Sequence, residues 1–323
     1  MKNLLKSSLA LIAVASMIFI TSCGDGDTEE PKPNAPTLTV TTELNGTAAT
    51  SPIEAKPGDE VSFDVSITAD GGFNVVRVYS SVDGGSASLV QELTRLDLNL
   101  EAGSTTASAS FTSTIEAQLV GSEVTYEFEA VDDADQVSTA EVIVNVTDNP
   151  IVTQTETLLG GQSNASADSF YNSIENETYP YDSFRDNNSA NTDFCFFYGN
   201  TNMYTIAAID DEDANTAFSA VISDNALGSA IIETRNETRF VTTAVSPEDF
   251  DAIDGESALL DAFGDVTPSA TKQNMLEANT VFAFQLAESR GSLKGLAKVI
   301  STGGTSGADR SITILVKIQE EAE

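Results

Sequence analysis

Two acidic clusters and one aromatic stretch are the places where the residue types of this chain could do chemistry. Asp132-Asp133-Ala134-Asp135 puts three carboxylates within four residues, and oxygen ligands at that density can take calcium. Asp211, Asp213 and Asn215 repeat the opening spacing of an EF-hand loop. Thr216 stands where that loop needs Gly, however, and Ile222 where it needs its last Glu. Each cluster therefore reads either as calcium ligands or as an acidic loop, with a helix start as a further reading for 211–215. No other cofactor is expected. The aromatic stretch covers 169–188, where Tyr171, Tyr179 and Tyr181 lie close to Asp182 and Arg185. Flat rings beside carboxylate, amide and guanidinium groups suit the hydroxyl-rich faces of sugars. The competing reading is that Tyr179 and Tyr181 pack along a hairpin, and the absence of Trp counts against a sugar platform.

Composition removes whole classes of activity. Histidine is absent and cysteine occurs twice, which excludes Ser-His-Asp and Cys-His catalysis and the common zinc sites. Two carboxylates can cleave glycosides unaided when held about 5 to 9.5 Å apart. With 50 acidic residues no pair stands out, so the expectation is a non-catalytic protein. A net charge of −35 repels nucleic acid. Cys195, in the apolar run Asp193 to Gly199, has no base to activate it and reads as a small buried hydrophobe.

These residues need elements to hold them, and the chain divides into four parts. Lys2 and Lys6 precede a short apolar stretch ending in Thr21-Ser22-Cys23. This resembles a bacterial lipobox, which implies a signal peptide over 1–22 and lipidation of Cys23. Residues 23–36, rich in Asp, Glu, Gly and Pro, read as a tether. Acids directly after the cysteine resemble the surface-export signal of Bacteroidetes lipoproteins, which implies an outer-membrane, lipid-anchored, surface-exposed protein.

Residues 37–149 alternate apolar and polar positions over seven runs, as in Val61, Phe63, Val65 and Ile67, with turn residues between them. Seven short strands predict a β-sandwich. Pro57 to Phe63 and Tyr126 to Ser138 resemble strands of bacterial Ig-like or polycystic-kidney-type modules, which implies an immunoglobulin-like stalk. Residues 150–323 predict a second β-rich, sandwich-like domain. Its strands are expected over 151–159, 193–199, 204–209 and 235–242, with a closing antiparallel meander of 280–287, 293–301 and 311–319 that buries one face. Ser246-Pro247-Glu248-Asp249 predicts a helix start, and 257–263 a second short helix. The overall expectation is a mainly β protein.

The order Ser169-Phe170, Tyr179, Asp193 to Gly199, Arg235 to Phe240 and Asp249-Phe250-Asp251 resembles uncharacterised Bacteroidetes surface lipoproteins. The resemblance carries no activity. Two functions stand open: a surface binding protein that captures glycan, or a structural lipoprotein that engages an outer-membrane protein partner.

Overall fold

The computed structural model describes residues 33–222, 226–306 and 309–321. The expected signal peptide, Cys23 and residues 23–32 of the tether lie outside them. The last tether residues are not free: Pro36 is buried and the Pro33 carbonyl accepts from Gln136 Nε2 at 2.7 Å.

The first sandwich is formed by β1 (Thr37–Leu44), β2 (Thr47–Ala49), β3 (Ile53–Ala55), β4 (Glu60–Thr68), β5 (Phe73–Val82), β6 (Ser88–Thr94), β7 (Thr106–Thr114), β8 (Glu123–Asp132) and β9 (Val137–Val146). One sheet has the order β2-β1-β4-β7 and the other β3-β9-β8-β5-β6. Period-two patterning decides the faces. Val61, Phe63, Val65 and Ile67 of β4 meet Val124, Tyr126, Phe128 and Ala130 of β8 in one core. Phe63 sits at its centre, 4.9 Å from Tyr126 and 5.2 Å from Phe128 between ring centroids. Beyond the seven expected strands the chain adds β2 and β3. The latter leaves the first sheet and pairs in parallel with β9, Ile53 opposite Val144.

The second unit contains β10 (Ile151–Thr153), β11 (Thr157–Gly160), β12 (Phe170–Asn172), β13 (Glu177–Tyr179), β14 (Phe194–Gly199), β15 (Met203–Ala208), β16 (Arg239–Thr242), β17 (Lys272–Gln273), β18 (Val281–Gln285), β19 (Lys294–Gly303) and β20 (Ser311–Gln319). Its helices are α1 (Tyr181–Ser183), which runs into a π-helical turn (Phe184–Asn188), α2 (Glu212–Ser219), α3 (Pro247–Ala252) and α4 (Glu256–Phe263). The sheets are β10-β20-β19-β18-β16, with β11 also on β20, and β13-β12-β14-β15-β17. They face each other across Phe194, Phe196, Phe240, Phe282, Phe284 and the Ile312, Ile314, Val316, Ile318 row.

Both outer faces are covered as well, which makes four layers. Cys195 and Phe197, on the other side of β14, pack under Phe184 and under Ala214 and Phe218 of α2. The closing meander was expected to bury one face; it buries two. Phe250 of α3 and Leu259 and Phe263 of α4 cover Val281, Ala283 and Leu296. Lys298 and Lys317 fall on that covered face and are themselves buried. The Lys317 ammonium donates to the carbonyls of Asp251 and Ile253, satisfying the C-terminal end of α3. The expected strand over 151–159 is broken in two because Gln154 turns inward and donates to the carbonyls of Ser173 and Ile174. Only Arg239–Thr242 of 235–242 is strand.

The linker between the units is fastened rather than loose. The Asp148 carboxylate accepts from Ser257 N at 3.2 Å and Ser257 Oγ at 2.6 Å, and Glu256 N donates to the Asn149 carbonyl. A Cβ on Gly255 would overlap that carboxylate. The glycine at the N-cap of α4 thus leaves room for a cap supplied from the linker.

Candidate functional site: an aromatic groove at the far end of the second unit

The tyrosines singled out by sequence are core residues. Tyr171 has no exposed surface and Tyr179 only 8%, so neither presents a ring face to a ligand. Tyr171 packs against Phe194 and donates its hydroxyl to Asn176 Oδ1; burial pushes its pKa up. Tyr181 is half-buried, donates to the Ala226 carbonyl, and leans on the Phe170–Phe184 stack, whose centroids are 4.1 Å apart. Arg185 lies over the Tyr181 ring and pairs with Asp182 and Asp186. The hairpin-packing alternative accounts for this stretch, because alternate rings face the helical layer.

The acidic clusters do not converge on a cation either. Asp132 is fully buried and accepts from the backbone N–H of Ala134 and Gln136, closing its own loop. Asp133 turns away to Arg95, at 2.6 Å, and Asp135 takes a left-handed turn conformation, φ 58°. Asp211 caps α2, accepting from the N–H of Asp213 and Ala214. The Lys272 ammonium lies 3.2 Å from Asp211 and 2.8 Å from Asp213, where a metal ion would have to sit. Among the described residues no group of three metal-ligating side chains forms. The helix-start reading of 211–215 is the one the fold adopts.

A buried polar network behind β14 explains several conspicuous residues. Asp193, fully buried, accepts from Ser173 N and Oγ, both at 2.7 Å, and from Arg290 Nε at 2.9 Å. Arg290 Nη2 reaches Asn172 Oδ1, Thr238 donates to the Asp193 carbonyl, and Asn236 bridges the carbonyls of Ala190 and Thr192. Burial pushes the Asp193 carboxyl up while Arg290 and Ser173 hold it down. With its donors and acceptors engaged, this network fastens the two sheets together.

One open surface lies at the tip of the β14–β15 hairpin. Met203, Tyr204, Met275, Leu276, Glu277 and Thr302 line a groove of about 580 Å³. Two main-chain bonds place its walls: Met275 N donates to the Asn202 carbonyl and Leu276 N to that of Tyr204. Met203 and Met275 are 40% and 61% exposed, and both hold left-handed backbone, φ 56° and 53°. Turn chemistry favours Gly or Asn there, and the conformation costs a bulky residue about 1 kcal/mol. Most of the other non-glycine residues in this conformation are Asn or Asp. Strained backbone thus carries two soft apolar side chains at the wall of one groove. The turn is propped from below by Asn202 Nδ2 on Asp213, whose carboxyl Lys272 and Asn202 hold below the usual range.

Behind the groove stands an aromatic and cationic cluster. The Tyr204 ring is backed by Phe196 of the core at 6.2 Å and meets Tyr198 edge-on at 5.1 Å. The Arg310 guanidinium lies 4.2 Å over the Tyr198 ring and donates from Nη1 to the Tyr204 hydroxyl at 2.5 Å. Tyr204 in turn donates to the Gly303 carbonyl. Arg310 Nε is buried without a partner among the described residues, a loss of about 1–3 kcal/mol. The site is remote from the linker: Ile151 pairs with Gln319 at one end of β20, while Gly303 pairs with Ser311 at the other. Nine residues of strand separate the two ends, about 30 Å at 3.4 Å per residue. The larger cavity, about 870 Å³ between the units, is lined by Lys56, Asp59, Glu256 and Glu320 and holds no aromatic ring. Sequence reading missed the distal groove because its walls come from three separate segments. The available signal was a Met following Asn in two polar turns, Asn202-Met203 and Asn274-Met275.

Neither a family model nor a curated protein matches the sequence. Among solved structures the chain is weakly similar to a DUF4466 family protein from Parabacteroides merdae. The TM-score is 0.34 and the identity 12%, over 89% of this chain and 100% of that one. A Niemann-Pick type C2 protein from the Japanese carpenter ant matches at TM-score 0.27 and 8% identity, over 37% of this chain and 98% of that one. A beta-glucosidase from Listeria innocua matches at TM-score 0.20 and 18% identity, over 35% of this chain and 16% of that one. Likenesses this distant decide neither family nor activity.

Proposed function

We propose that this protein is a non-catalytic, lipid-anchored surface lipoprotein that captures glycan in the distal groove. The observation that carries the reading is the pair of exposed, backbone-strained methionines beside Tyr204 at the end of the unit farthest from the linker. The aromatic ring and thioether side chains offer an apolar platform, and Glu277 and Thr302 offer acceptors and a donor for hydroxyls. The first unit serves as an immunoglobulin-like stalk. Its support is the strand order, in which β3 crosses from the β1–β4 sheet to run parallel to β9. The Cys23 lipid rests on the lipobox-like leader, and the outer-membrane, surface-exposed location on the acidic residues directly after it.

A second reading, a structural lipoprotein holding a protein partner, is favoured by a different surface. An apolar groove of about 540 Å³ between α3 and α4 is lined by Val245, Ile253, Ala262 and Phe263 and edged by Asp249 and Asp261. The deciding experiment is a glycan array probed with wild type, Tyr204→Ala and Met275→Ala. Saturable wild-type binding that falls at least about tenfold in both variants, each shown by circular dichroism to keep the native fold, supports capture in the distal groove. Binding that survives both variants locates it elsewhere.

A further inference from the structure

The distal groove also carries a statement about the charge of its ligand, which rests on the capture reading above. Arg77, Arg95, Arg239 and Arg290 each meet a carboxylate at 2.6 to 2.9 Å, as expected where acids outnumber bases 50 to 15. Arg310 stands beside the groove and, like Arg235, which donates to the Ser229 carbonyl, meets no carboxylate among the described residues. Its neighbouring acid, Asp309, is occupied by the N–H groups of Thr305 and Ser306. Holding Tyr198 explains the stacking of this guanidinium but not its lack of a counter-ion.

The guanidinium has five N–H donors in a planar fork. Here Nε is closed off by burial, one Nη1 bond goes to Tyr204 and one Nη2 bond to the Thr305 carbonyl. One hydrogen on each of Nη1 and Nη2 keeps no acceptor among the described residues, and a guanidinium with a donor left on each can receive the two oxygens of a carboxylate. The Tyr204 hydroxyl and the Tyr198 ring fix the plane of that fork. Glu277 on the groove wall requires the rest of the ligand to present hydroxyls rather than charge. We propose that the groove selects a uronic-acid glycan, whose carboxylate docks on Arg310 while its sugar face lies along Tyr204 and the two methionines. The net charge of −35 does not forbid this, since beyond about 8 Å it is screened at physiological salt.

The test is an array of galacturonate, glucuronate and mannuronate oligosaccharides beside their methyl esters and neutral oligosaccharides. It is probed with the full chain as wild type, Arg310→Met, Arg310→Lys and Tyr204→Phe. Each variant is first checked for folding by circular dichroism. Wild type is expected to bind at least one free acid about tenfold or more tightly than its ester. Arg310→Met should bring the ratio of acid to ester binding down to about one. Arg310→Lys, which keeps charge without the fork, and Tyr204→Phe, which frees the fork, should give intermediate ratios; these carry the test if Arg310→Met does not fold. Equal binding of acid and ester by wild type overturns the carboxylate assignment and leaves capture standing. Variants that weaken acid and ester alike overturn it too. Silence on every glycan overturns the capture reading and this inference with it.

Discussion

Replacing Arg290 by Met removes the cation that faces the fully buried Asp193 carboxylate. Asp193 then keeps only the two Ser173 donors, while Asn172 Oδ1 still accepts from the N–H of Ile174 and Glu175. The cost is therefore that of stranding Asp193. Breaking a buried pair from one side costs about 3–5 kcal/mol, and the 15% exposure of the Arg290 side chain places this pair toward the lower end. Against a typical total of about 5–15 kcal/mol the loss is large. Its pH dependence has a definite sign. Burial already raises the folded-state pKa of Asp193 and Arg290 holds it down, so the variant raises it further. A raised carboxyl favours folding below its unfolded pKa, and that contribution is lost as pH rises through the folded value. The deficit of Arg290→Met is thus greatest near about pH 7. It shrinks by up to about 1.4 kcal/mol per pH unit as Asp193 takes up its proton on acidification. Urea unfolding of wild type, Arg290→Met and Asp193→Asn/Arg290→Met at about pH 7 and about pH 5 measures this, and the double variant is expected to recover most of the loss at the higher pH. A single variant within about 1 kcal/mol of wild type, or a deficit that grows on acidification, would refute the reasoning.

Two further outcomes follow from the fold. Cys195 is fully buried and its thiol pKa is pushed well up by burial; in a Cys23→Ser background, where Cys195 is the one remaining thiol, a thiol reagent at about pH 8 should label the native protein only at the rate of unfolding, and labelling within minutes would contradict the packing. Asp148→Ala removes the linker cap of α4 and should cost about 1–2 kcal/mol, the range for lost N-caps. Hydrogen exchange should show the loss first at the amides of Glu256 and Ser257, and an unchanged exchange pattern there would rule the cap out.

What could be read from the sequence was whatever repeats at short range. The alternation of Val61, Phe63, Val65 and Ile67 fixed a face, the unbroken Phe194 to Tyr198 run required burial on both sides, and Ser246-Pro247 marked the α3 start that Ser246 Oγ caps. What escaped depends on which element lies over which. Lys298 and Lys317 sit at alternate positions that look solvent-facing, and only the docking of α3 makes them interior. Tyr171 and Tyr179 looked like a platform because composition cannot say which side of a hairpin a helix covers. Asp211 and Asp213 looked like ligands because Lys272, their counter-ion, lies far along the chain.

The place of β20 in its sheet has a consequence for biogenesis. This strand, the last among the described residues, lies between β10 and β11, where the second unit begins, and β19. Until it emerges, the opening strands have no edge to pair with, and the Ile312 to Ile318 row that seals Phe194 and Phe196 is missing. The first unit closes on its own residues and can fold while synthesis continues, whereas the second must wait until β20 has been made. During that interval the uncharged Phe194 to Tyr198 run is exposed, a segment of the kind that aggregates when left unpaired. Asp193 directly before it then acts as a gatekeeper in the nascent chain before it becomes the anchor for Arg290 in the finished one.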